Sequence, residues 1–150
     1  MKHKVSVLLV VGLLAGLLTL PAYASENEVE QETQIIHTQY GEIQVDTALT
    51  VQDLTLYSNT KSAEKTATYR YDGSVIAKVT LEATFGYDGQ TAWVDSADAS
   101  HVTYGGWSYG SERIYDSGNR ARVTAELSRL LAGDVPVDIS ITCTPSGQIS

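Results

Sequence analysis

Gly106-Trp107-Ser108-Tyr109-Gly110 has the Gly-x-Ser-x-Gly form of a serine nucleophile held on a strand-to-helix turn. That chemistry needs a helix after the serine and a histidine later in the chain as its base. His101 is the last histidine, so no base follows Ser108. The order His101 then Ser108 would require another triad arrangement, with an acid to orient the imidazole. Glu82, Glu112 and Glu126 could pair as glycosidase carboxylates, but such a pair also needs a substrate cleft. Zinc would need three or four ligands with local spacing, and past residue 24 the only histidines are His37 and His101. Calcium is the more plausible ion, with Asp95 and Asp98 as its candidates among the acidic loop residues. Their spacing is not that of an EF-hand loop. Acidic turn residues more often bond their own backbone.

The most uneven chemical feature is aromatic. Residues 85–115 hold Phe85, Tyr87, Trp93, Tyr104, Trp107, Tyr109 and Tyr115. Exposed Trp and Tyr rings stack on the apolar faces of sugars or anchor a protein partner. Phe85 and Trp93 read as core. Gly105, Gly106 and Gly110 would place Tyr104, Trp107 and Tyr109 on a loop, making these three the candidate ligand-binding residues. Cys143 is alone, so no internal disulfide forms, and its place on an apolar strand face makes it an inert buried thiol. No residue set implies a cofactor.

The elements that must position these residues are strands. From Val75 to Phe85 the odd positions are apolar and the even ones mostly polar, the period of a strand with one buried face. Val135, Val137, Ile139, Ile141 and Cys143 repeat the pattern, with Pro136 marking an edge. Ala121, Val123, Ala125 and Leu127 give a third run. Helical spacing of Val123, Leu127, Leu130 and Leu131 competes there, but the period of two is favoured. Asp72-Gly73, Asp88-Gly89 and Asp116-Ser117-Gly118-Asn119 supply turns. Leu49–Tyr57 is an earlier strand whose apolar positions change parity, which suggests a bulge near Asp53. These runs predict an all-β fold, an antiparallel two-sheet β-sandwich of seven to nine short strands, with a small β-barrel as the alternative.

Charge and the first residues supply an address. Lys2, His3 and Lys4 precede the uncharged run Val5–Leu20, then Pro21 and Ala22-Tyr23-Ala24. This is the pattern of a signal-peptide helix over 1–24, with cleavage between Ala24 and Ser25. Sixteen helical residues span ~24 Å, short of the ~30 Å of a bilayer core, so a retained anchor is disfavoured. No cysteine follows for lipidation, and no second apolar run stands at the other end, so no membrane attachment is expected after cleavage. Loss of Lys2 and Lys4 takes the net charge from -8 to -10, with eight bases against eighteen acids. Such an acid excess argues against nucleic acid and anionic lipid. Residues 25–38 are Glu-rich and read as an acidic disordered leader, leaving 39–150 as the β domain. A lone cysteine and no Asn-x-Ser/Thr site point to a bacterial secreted protein. A Gram-positive source is preferred, with the periplasm as the alternative. The expectation is a non-enzymatic extracellular binding or surface-structural domain, a monomer or weak oligomer with a protein or glycan partner. A carbohydrate-binding module using the aromatic loop is the first alternative and a small secreted hydrolase the second.

Overall fold

Alternation along the chain becomes strands that each find their partner in the next one. The structure is a computed structural model, and it describes residues 28–39, 41–53 and 59–150. The predicted signal segment, its Ala24/Ser25 cleavage site and the parity change at Leu54 and Leu56 lie outside the described residues. Among the described residues there are eight antiparallel strands and no helix: β1 (Glu28–Thr38), β2 (Gly41–Asp53), β3 (Thr60–Tyr71), β4 (Ser74–Tyr87), β5 (Ala92–Thr103), β6 (Ser108–Ser117), β7 (Arg120–Arg129) and β8 (Gly133–Thr142). They form one sheet in the order β1-β2-β3-β4-β5 and a second in the order β6-β7-β8. One core joins the two sheets, with Val79, Leu81 and Phe85 of β4 clustered with Val123 and Leu127 of β7 and Ile139 and Ile141 of β8. The architecture is sandwich-like, and β1 and β8 are not hydrogen-bonded to each other, so no closed barrel forms.

Two expectations change. The strands run 10 to 14 residues, not short, roughly twice the usual strand length. The segment read as an acidic leader supplies β1, paired with β2 from Glu28↔Val51 to Thr38↔Gly41. Its side chains carry almost no apolar burial, so composition alone marks it as unstructured. What holds it is the backbone ladder along an edge, to which any residue but proline contributes.

Turn chemistry sets the registers. Asp72 (φ 49°) and Gly73 (φ 74°) join β3 to β4 as a two-residue loop with both central residues at positive φ, as a type I′ turn requires. Asp88-Gly89 acts differently. The loop there is four residues long, and the Asp88 carboxylate accepts the amides of Gln90 and Thr91 at 2.9 and 2.6 Å. Those two bonds hold the Asp88 carboxyl below the usual range. The ambiguous run 121–131 is strand through Arg129, and Leu130 and Leu131 stand almost fully exposed at the β7–β8 tip. Ile76 breaks the odd-position rule and is buried, because a bulge at Tyr69/Arg70 pairs Val75 with Arg70 and Ala77 with Tyr69, leaving Ile76 as the extra residue.

Arg122 of β7 reaches diagonally to Asp138 of β8 as a two-point pair, with Nε donating to Oδ1 at 2.8 Å and Nη2 to Oδ2 at 2.5 Å. The guanidinium bonds hold the Asp138 carboxyl below its ordinary range. A depressed folded-state pKa stabilises above the unfolded carboxyl's range and is lost as pH falls through the folded value. Both side chains are about half exposed, so the contribution is at most about 1 kcal/mol. Urea midpoints of the wild type and Asp138→Asn should differ slightly at pH 7 and converge near pH 2. A gap that persists in acid would remove the ion pair as its cause.

Candidate functional site

The aromatic segment after β5 is built as a tight turn. Gly105 (φ 62°) and Gly106 (φ 78°) both take the left-handed region, and the Trp107 N–H donates to Tyr104 O at 3.2 Å. This is the type I′ arrangement, whose positive φ values glycines adopt without strain. The two glycines therefore do not loosen a display loop; they reverse the chain and drive the next side chain inward. Trp107 is 4% exposed, tilted at 60° against Tyr71 with ring centroids 6.2 Å apart. Its indole Nε1 is buried with no hydrogen-bond partner among the described residues. Trp107 thus has no free face to offer a ligand, and the expected trio does not form one surface. Tyr104 is exposed. Tyr109 is half-buried, stacked on His101 at 3.8 Å, and its hydroxyl donates to Glu112 at 2.8 Å. Burial and the Glu112 carboxylate raise the Tyr109 phenol above its ordinary range.

The same stack separates Ser108 from His101. Successive strand residues point to opposite faces, and Tyr109 pairs with the fully buried Leu127 on the core side. Ser108 therefore points outward, away from the imidazole that Tyr109 covers. The motif does not assemble a nucleophile and a base. Asp95 accepts the Trp93 indole N–H at 2.8 Å, and Asp98 accepts the amide of Ala99 at 2.9 Å. Among the described residues no three His, Cys, Asp or Glu side chains gather as a metal set. Cys143 is fully buried, and that burial raises its thiol pKa.

Of the two tryptophans, the one that faces solvent is Trp93. On the outer residues of β5 the odd positions Ala97, Ala99 and His101 pair with Ala83, Leu81 and Val79 and face the core. Unbroken alternation would put Trp93 there too. A bulge at Thr84/Phe85 intervenes, so Val94 pairs with the buried Phe85 and Trp93 pairs with Gly86 on the outer face. One extra residue inverts every side chain beyond it. Trp93 is 41% exposed, yet its ring is fixed. A Cβ on Gly86 would lie 2.4 Å from Cε2 and Cζ2, so the indole rests directly on the glycine backbone, and Asp95 holds its N–H.

Beside this ring the outer face of the five-stranded sheet is polar. Gln52, Ser62, Thr84 and Ser96 align across four strands, and Thr50, Glu64, Glu82 and Asp98 align in the next row. Together they line a shallow groove of about 340 Å³. Ser62 and Thr84 share a hydrogen bond at 3.1 Å, and Thr66 and Thr80 share one at 2.8 Å. Three carboxylates directly opposite one another repel, so this row costs stability and offers acceptors in exchange. Sequence reasoning missed the row because Glu64, Glu82 and Asp98 are adjacent only through register. Compared with family models, curated proteins and solved structures, the chain matches none; the functional reading therefore rests on this geometry.

Proposed function

We propose that the protein is a secreted, non-enzymatic binding domain whose ligand is a glycan held on the outer face of the five-stranded sheet. The observation that carries this reading is the fixed Trp93 ring, seated on Gly86, bonded to Asp95 and open to solvent beside the polar groove. A rigid indole stacks on the apolar face of a pyranose at little entropic cost. The carboxylates of Glu82 and Asp98 and the hydroxyls of Thr84 and Ser96 then accept and donate hydrogen bonds to the sugar's hydroxyls. The acid row sets the sign: neutral or amino sugars are accepted and anionic glycans repelled. The export reading comes from the residues before Ser25, and the non-enzymatic one from the separation of Ser108 and His101.

Tryptophan fluorescence tests it. Titration with neutral β-glucan and chitosan oligosaccharides should quench and shift the Trp93 emission, and polygalacturonate should not. Trp93→Ala should weaken binding by at least roughly tenfold, the loss of about 1.4 kcal/mol, with the melting temperature nearly kept. No spectral response to any glycan, or equal response after Trp93→Ala, would sink the sugar reading.

A further inference from the structure

Among the described residues, β8 has a strand partner on one side only. Its ladder parity shows which groups the other side presents. The Cys143 amide donates to Asn119 O, on the β7 side, whereas Thr142 N–H donates to Ser150 O at 2.8 Å and Thr142 O accepts from Ser150 N–H at 3.0 Å on the far side. In an antiparallel ladder the direction alternates, so the backbone groups of Ser140 and Asp138 also point away from β7. Pro136, which has no amide to offer, falls in the same series. These groups border a groove of about 470 Å³ whose opposite wall is Glu32 and Gln34 of β1, with Lys65, Ala67 and Tyr69 as floor. Ser150 lies in an adjoining hollow of about 200 Å³ with Glu30, Glu32 and Lys65. Ser150 thus already pairs, strand fashion, at one end of this edge.

We propose that the groove between β8 and β1 takes an extended polypeptide segment as an added strand, antiparallel to β8, bonded to Ser140 and Asp138 and rich in Lys or Arg. Main-chain pairing at an exposed sheet edge gives affinity, and side-chain pockets give selectivity. Here selectivity is electrostatic. Glu30 and Glu32 outnumber Lys65, and the Asp138 carboxylate is already matched by Arg122. The Ala67 and Tyr69 floor suits small apolar side chains at the alternate positions. This site is on the inner face of the five-stranded sheet, opposite Trp93, so it and the glycan reading fail independently.

The test is nuclear magnetic resonance titration of the isotope-labelled protein with two acetylated, amidated octapeptides, one alternating Lys with Val and one alternating Glu with Val. The Lys peptide should shift the Asp138 and Ser140 amides and weaken at least fivefold between about 50 and 500 mM salt, as exposed charges are screened. Ser140→Pro removes an outward amide and no backbone bond to β7, losing there only the exposed Arg120–Ser140 side-chain contact at 3.0 Å, and should weaken binding at least tenfold while the fold persists. Glu30→Lys with Glu32→Lys, on the exposed β1, gives a second readout and should reverse the preference to the Glu peptide. Equal binding of both peptides, shifts confined to other strands, or self-association through β8 in place of peptide binding would overturn the proposal.

Discussion

Trp107→Ala is expected to destabilise the protein by about 3–5 kcal/mol, the range for removing a large buried aromatic side chain, while Trp107→Phe costs far less. The indole is enclosed and rests against Tyr71, so truncation to alanine leaves a cavity that the β5–β6 turn cannot fill without unwinding its two glycines. The phenylalanine variant loses part of the packing but also removes the Nε1 donor that has no partner. A buried unsatisfied donor costs about 1–3 kcal/mol, so the two changes offset. Urea unfolding should rank wild type and Trp107→Phe within about 1.5 kcal/mol, with the alanine variant well below. If both variants fall equally, the indole N–H is satisfied and the packing account is wrong. The phenylalanine variant also leaves Trp93 as the sole tryptophan, which isolates its fluorescence for the glycan titration.

The second large effect is expected at Gly147. Its φ is 81°, and a Cβ there would stand 2.5 Å from Tyr87 Cζ and 2.6 Å from Cε2. Left-handed backbone costs a non-glycine residue roughly 1–2 kcal/mol, and the ring must also move. Gly147→Ala should therefore cost about 2–4 kcal/mol, in the upper range for single substitutions. The damage has a place. Gly147 closes the turn that returns Gln148–Ser150 onto Thr142, through its N–H to Thr144 O at 2.9 Å. Hydrogen exchange should speed up first at Thr142 and Ser150. Tyr87→Ala added to Gly147→Ala should recover part of the loss, since the clash needs both partners. Simple additivity of the two would show that the ring is not the obstacle.

How legible the molecule was depended on where apolar side chains sit. β4, β7 and β8 each bury one face against the other sheet, and their period of two is plain in Val75–Phe85, Ala121–Leu127 and Val135–Cys143. β1 and β6 flank the sheets and bury little, so a Glu-rich sequence hid the first and a mostly polar one, entered through Gly105 and Gly106, hid the second. Backbone pairing holds those two, and it leaves almost no trace in side-chain type. The candidate site was illegible for a related reason. Trp93 and Trp107 exchanged their expected places, one because a bulge inverted the end of β5, the other because Gly105 and Gly106 formed a turn. A single inserted residue has no compositional signature, yet it decides which tryptophan meets solvent.

The sequential strand order also fixes when the chain becomes a folded object. Every ladder joins neighbours in the chain, so hairpins can zip locally and early. The apolar faces of β3 and β4 are closed by Trp107 and, over most of their length, by β7 and β8. Until those last strands have left the ribosome or a translocation pore, the first sheet stays bare on its greasy side, and a delay at that point exposes the nascent polypeptide to clumping or to a waiting chaperone.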